Sequence, residues 1–249
     1  DVAVAEKLLK TIDDISEMAQ RLNNLIYLGA LAYYFSFSRE EESEADRLGF
    51  QRALAAGYDA SAGPSIWTDV IDETHASDFP AVRKSEAQNS AFRTHPLTQD
   101  RVDALEATGG VAAIHDVEAQ KRYRAAIRGH LGPWLKDDLR RRDYGQTLML
   151  IDRLSAIGED LGVLQFYRGE ALRQRRKDGD APLALAAYRG AVGYADAPAA
   201  AWRELGDASR RAGDRAGAAQ AYETYLAKAP EAEDRWLVEA SLKTMKGAG

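Results

Sequence analysis

Ala184 and Ala218 stand 34 residues apart, and Tyr188 and Tyr222 repeat the same interval. Self-similarity at such a period belongs to stacked helical hairpins, because one hairpin cannot bury its apolar face alone and needs a neighbour of the same shape. The rest of the chain agrees with helix. It holds only seven Pro, is rich in Ala, Leu, Arg and Glu, and has almost no β-branched runs of period two. The expected fold class is all-α. With 45% apolar and 29% charged residues the chain has the makings of a folded protein and not of a disordered tail.

The last unit reads Trp202, Leu205 and Gly206, then Ala218, Tyr222 and Pro230, which are the offsets of the tetratricopeptide pattern, with Ser209 in place of its usual Tyr. The unit before it is weaker. Tyr167 and Ala171 take the Trp and Gly positions, and one extra residue lies between its helices. Upstream, Tyr123 to Leu139 and Gln146 to Leu154 are helical enough for further, degenerate repeats. Setting Ala171 on Gly206 places Arg168 opposite Arg203, Arg175 opposite Arg210 and Arg176 opposite Arg211. In a groove lined by first helices, that ladder would favour a carboxylate-bearing or acidic protein or peptide partner. The competing reading pairs the same arginines with Glu170, Glu204 or Asp207. Arg168, Arg175, Arg203, Asp207 and Arg210 are the candidate groove residues, and Arg203→Glu is expected to weaken partner binding while leaving folding intact.

Nearer the start, Leu8, Leu9, Ile12, Ile15, Met18, Leu22 and Leu25 recur at three- and four-residue steps, so a helix from about Val2 to beyond Asn24 should carry one apolar stripe that packs on something. A second helix is expected from near Ser38 to Ala56, ended by Gly57. Ser61 could cap a third. Asp72 to Thr94 is polar and weakly patterned and reads as a loop; Thr98 then opens a short helix through Ala107, closed by Gly109-Gly110. The organisational boundary falls there, dividing the chain into 1–110 and 111–249. The longest apolar stretch, Leu25 to Phe37, is shorter than the ~20 residues of a spanning helix. It reads either as ordinary core or as a loop leaning on a membrane surface.

A net charge of −6 argues against nucleic acid held through phosphates, and the lack of Cys removes thiol nucleophiles, disulfides and Cys-bound zinc. His75, His95, His115 and His130 include no pair four apart, so no helical H-E-x-x-H lies in this chain. Nucleotide-binding glycine loops and the G-x-S-x-G elbow are absent too. The informative stretch is Ser38-Arg39-Glu40-Glu41-Glu42-Ser43-Glu44-Ala45-Asp46-Arg47-Leu48-Gly49-Phe50, followed by Ala56-Gly57-Tyr58-Asp59 and Thr94-His95-Pro96-Leu97, with Arg101 beyond. On a helix Glu42 and Asp46 share a face one turn apart. By itself such a pair is ordinarily a solvated surface feature.

Together these segments resemble the zinc metallopeptidase family of the CAAX prenyl protease and HtpX, and more closely its bacterial BepA-like subgroup, in which a tetratricopeptide domain follows the peptidase domain. The resemblance implies a zinc site of two H-E-x-x-H imidazoles and a Glu from a later helix. Glu42 matches that Glu, and Asp46 matches the Asp that orients a zinc-bound imidazole. His95 matches a loop His that can approach the zinc as an extra ligand and withdraw for substrate; its other reading is a loop-anchoring hydrogen bonder. Arg101 belongs to the same motif, with an ion pair as its expected role.

The departure is that no His precedes Glu42, so both imidazoles and the general-base carboxylate must lie upstream of Asp1. The chain opens without an initiator Met or signal peptide, and is expected to be the C-terminal part of a longer enzyme, inactive alone, whose first helix covers its stripe against that upstream part. The implied activity is hydrolysis of peptide bonds in envelope protein quality control, in the bacterial periplasm or envelope. The alternative is a non-catalytic repeat scaffold.

Overall fold

The computed structural model describes residues 2–85, 96, 98–108 and 117–247. Among them are eleven helices and no strand. The fold is all-α. The chain falls into two compact units, Asp1–Ile71 with Lys84–Ile114, and Asp72–Arg83 with His115–Gly249.

In the first unit, α1 runs without a break from Val2 to Ala55, where two helices were expected. The cause lies in the segment between them: Leu25 to Phe37 holds no Pro, and Gly29, its one weak helix former, costs only about 1 kcal/mol. The segment is neither core nor loop, since Leu25, Ile26, Tyr27, Tyr33, Tyr34 and Phe37 are all exposed on this helix. Met18 and Leu22, the described members of the expected stripe before Leu25, are exposed as well. No helix among the described residues is long and apolar enough to cross a membrane.

Gly57 ends α1 with φ +86°, a conformation open to glycine at no steric cost. Asp59 then takes the N–H and the hydroxyl of Ser61 on one carboxylate oxygen, 2.8 and 2.6 Å away. That fixes the entry to α2, Ala62–Ala76. At Gly63 α2 comes so close to α1 that an added Cβ would stand 2.7 Å from the Phe50 ring. α4, Thr98–Ala107, closes this corner with Val102 and Leu105, both buried with Phe50. Gly109 and Gly110 lie outside the described residues.

The second unit begins inside the stretch expected to be a loop. α2 continues to Ala76 and α3 spans Pro80–Ser85; residues 86–94 lie outside the description. Asp143 accepts the Ser77 hydroxyl at 2.5 Å and the Asp78 N–H at 2.8 Å, and Asp78 accepts the Gly145 N–H at 2.9 Å. Arg153 donates to Glu73 at 2.6 Å. These bonds place Asp72–Arg83 with the C-terminal helices, which a boundary at residue 110 does not do.

The remaining helices are α5 (Val117–Arg140), α6 (Tyr144–Ser155), α7 (Leu161–Arg175), α8 (Asp180–Ala191), α9 (Ala199–Arg211), α10 (Arg215–Lys228) and α11 (Arg235–Gly247). They form a run of antiparallel neighbours over three apolar clusters. Leu131, Leu135, Ile151 and Leu164 make the first, Leu172, Tyr188 and Leu205 lie in the second, and Tyr222, Tyr225 and Val238 lie in the third. The α9–α10 turn is built by Gly213 at φ +85° and by Asp214, whose carboxylate accepts the Gly217 N–H at 2.8 Å.

Candidate functional site

The helical spacing of α1 puts Glu42 and Asp46 on one face, and α4 brings Arg101 to both. Arg101 Nε donates to Asp46 Oδ2 at 2.5 Å and Nη2 to Oδ1 at 2.7 Å. This forked pairing is the strongest geometry open to a guanidinium and a carboxylate. Nη1 of the same side chain lies 3.7 Å from the buried Oε2 of Glu42, an ion-pair distance outside hydrogen-bond range. The third contact comes from α2. The Arg101 guanidinium carbon sits 3.5 Å from the centre of the Trp67 ring, and the arginine side chain is only 17% exposed. One cation therefore ties three helices at two carboxylates. A hollow of about 470 Å³ opens beside the pair, lined by Asp46, Arg101, Pro96, Asp100 and Leu105.

Asp46 accepts two bonds from Arg101, which leaves acceptor sites for the imidazole that the resemblance has it orient. His95 lies outside the described residues. Among those that are described, no group of three His, Asp or Glu is arranged to hold a metal ion. What the corner offers a metal is a carboxylate, chemistry that fits one oxygen position of a two-histidine-one-glutamate site.

The groove residues are placed differently from the expected ladder. Arg168 pairs with Asp152, and Arg175 grips Asp180 through two bonds of 3.0 and 2.7 Å. Arg203 is shared by Glu204 and Asp234. Arg210 lies 4.0 Å from Asp207, whose carboxylate accepts the Tyr222 hydroxyl at 2.5 Å. All four arginines thus lie within ion-pair distance of carboxylates of this chain: Glu204 and Asp207 are acids the sequence suggested, and Asp152, Asp180 and Asp234 are not. Arg203→Glu would leave Glu204, which is 6% exposed, facing a like charge, so that substitution is expected to cost some stability.

The register of the ladder also changes. The Tyr222 ring packs on Gly206, and the Tyr188 ring packs on Gly169, not on Ala171. Setting Gly169 on Gly206 puts Arg173 opposite Arg210 and Phe166 opposite Arg203. Next to each glycine is the acid that receives the tyrosine hydroxyl, Glu170 for Tyr188 at 2.7 Å and Asp207 for Tyr222. Burial alone would raise the Glu170 pKa, but hydrogen bonds from Arg173 and Tyr188 outweigh it and hold the carboxyl below its usual range. Arg173 spans the hairpins, bonding Glu170 at 2.5 Å and lying 3.5 Å from Glu204.

Sequence reading missed Trp67, Arg173, Asp78 and Asp143. Only Trp67 had any signal, an aromatic one turn after a glycine, and nothing in that spacing names Arg101 as its partner.

Residues 2–109 match peptidase family M48. A Vibrio cholerae protein described as a putative β-barrel assembly-enhancing protease is 34% identical over 80 residues. The matched stretch covers 32% of this chain and 15% of that relative. No solved structure matches. Glu42, Asp46, Trp67 and Arg101 therefore all lie in the stretch that is similar to peptidase family M48.

Proposed function

We propose that this chain is the C-terminal portion of a zinc metalloendopeptidase, with a helical catalytic segment followed by tetratricopeptide-type repeats that bind a protein partner or substrate. The observation that carries the reading is the division of labour between two carboxylates inside the segment that matches the family. Asp46 receives a forked arginine, which supports the reading of Glu42, and not Asp46, as the ligand. Glu42 would hold zinc with two imidazoles and a general-base Glu supplied by an upstream H-E-x-x-H, and His95 would approach from its loop as a further ligand. Zinc, when bound, supplies the Lewis acidity that activates water and the peptide carbonyl. Arg101 fixes Asp46 and sets a positive charge beside both acids on one helix face.

The repeat reading is supported by the equal seating of Tyr188 on Gly169 and Tyr222 on Gly206 in consecutive hairpins. The name of the Vibrio cholerae relative supports a place in the bacterial envelope and a part in its protein quality control.

The test is hydrolysis of a protein substrate such as casein by the complete polypeptide. Activity should vanish with a chelator and return with zinc, and Glu42→Gln should lower zinc affinity by at least about tenfold. A complete polypeptide without H-E-x-x-H, or hydrolysis indifferent to chelation, would leave only the binding scaffold.

A further inference from the structure

Trp202 packs against two apolar clusters at once. Trp236 repeats its position 34 residues later, on α11, and is 66% exposed. Gly206 receives the Tyr222 ring, whereas Ala240, 34 residues after it, is exposed. The helical stack thus leaves open on α11 a face of the kind that it covers on α9. A terminal hairpin that presents a polar outer face is complete in water; one that presents a tryptophan gains by being covered.

This face is complementary to itself. Glu233, Trp236, Ala240 and Lys243 follow at steps of three and four, within roughly a quarter of the helix circumference. All four are exposed, with Glu233 in the turn just ahead of the helix. The pair Trp236 and Ala240 and the pair Glu233 and Lys243 share one midpoint, Val238, whose own side chain is buried on the other side of α11. If two copies of α11 cross antiparallel at that midpoint, the large side chain of each meets the small one of the other. The acid of each likewise meets the base of the other. The flank is already balanced, since Arg235 pairs with Glu239 on its own helix at 2.8 Å.

We propose that α11 is the contact surface of a homodimer, in which two copies of this chain pair about a two-fold axis through Trp236, Ala240, Glu233 and Lys243. A single helix crossing is small for a protein interface, so the dimer is weak, with a Kd of about 10–100 μM. The inference uses only α9, α10 and α11, and stands apart from the peptidase reading.

Sedimentation equilibrium of the complete polypeptide, at up to about 500 μM, reads the association. A reversible monomer–dimer equilibrium is expected. Trp236→Ala should weaken it by at least about 30-fold, as the loss of a central aromatic anchor does. Glu233→Lys and Lys243→Glu should each weaken it by about tenfold, because either one turns two attractive pairs into two repulsive ones. An equal mixture of these two variants is the decisive arm. One then carries only bases at these positions and the other only acids, so heterodimers should form with about the affinity of the parent. The substituted side chains are exposed, and all variants should melt with the parent in dilute solution. The proposal is overturned if the parent stays monomeric at the highest concentration, as it would were Trp236 covered by a later helix of the same polypeptide. It is overturned equally if Trp236→Ala dimerises as the parent does, or if the mixture associates no better than either variant alone.

Discussion

The ring of Tyr222 stands 2.5 Å from the point where a Cβ of Gly206 would be. Tyr222 is almost wholly buried, with Tyr225 and Val238 in its cluster, so the ring has little room to retreat. Gly206→Ala sets two effects against each other. Overpacking costs about 1–3 kcal/mol, and the gain in helix propensity is worth about 1 kcal/mol. The net expectation is a loss of about 1–2 kcal/mol, seen as a lower urea midpoint. Gly129 lies on an exposed face of α5 with nothing within 4 Å of its would-be Cβ. Gly129→Ala should raise stability by about 0.5–1 kcal/mol, so the two glycines should give opposite signs in one experiment.

The contrast between these glycines marks how far the sequence could be read. The 34-residue interval placed Tyr188 and Tyr222 correctly because an aromatic and its spacing are visible in the residue order alone. The seat of Tyr188 was missed because Gly169 and Ala171 are both small, and only the packing of α8 on α7 shows which of them meets the ring. Leu25 to Phe37 was misjudged for a related reason: apolarity says a side chain gains by burial, but not whether this chain supplies anything to bury it. Glu42, Asp46 and Arg101 were legible through their resemblance to a known pattern. Trp67 was not, since its role depends on α2 and α4 arriving from different directions at one guanidinium.

Asp78 donates its N–H to Asp143 across 65 residues of sequence. Asp143 holds the Asp78 N–H, and Asp78 holds the Gly145 N–H. Removing one carboxylate strands the donors it satisfied, at a cost of about 1–3 kcal/mol for buried groups. Asp143→Ala should therefore destabilise the second unit by that amount. Hydrogen exchange offers the sharper check, because the amides of Asp78 and Phe79 should lose protection before those of Tyr188 or Tyr222.

Stability should fall at both ends of the pH scale. Glu170, Asp180 and Asp234 all have folded-state pKa values below their usual ones. Arginine hydrogen bonds hold down Asp180, the Tyr225 hydroxyl and Arg203 hold down Asp234, and Arg173 with Tyr188 overrides burial at Glu170. Each contributes stability that is present above its unfolded pKa, near 4, and is lost as pH falls through the lowered folded value. Tyr222 and Tyr225 work in the other direction. Burial first, then hydrogen bonds to Asp207 and Asp234, push both up to about 12. Their contribution is complete below about pH 10 and disappears between there and about 12, where the unfolded chain ionises first. Urea midpoints measured across pH, with tyrosinate absorbance at the alkaline end, should show a plateau bounded on both sides.

Arg203 and Arg211 lie in the same hollow of about 300 Å³ between α9 and α11, yet reversing their charges should have different consequences. Arg203 bonds Glu204 and Asp234, and Glu204 is buried. Arg203→Glu brings a third carboxylate to Asp234 and to Glu204, which keeps only Arg173 at 3.5 Å, and should cost about 1–2 kcal/mol once partial exposure is discounted. Part of that loss should return at high salt. Arg211 is exposed on the last turn of α9, and Arg211→Glu should change stability by no more than about 0.5 kcal/mol. A thermal melt of both variants checks the difference. It also decides which of them can report on a partner: a loss of binding in Arg203→Glu would mix recognition with unfolding, whereas a loss in Arg211→Glu at an unchanged melting temperature belongs to the groove itself.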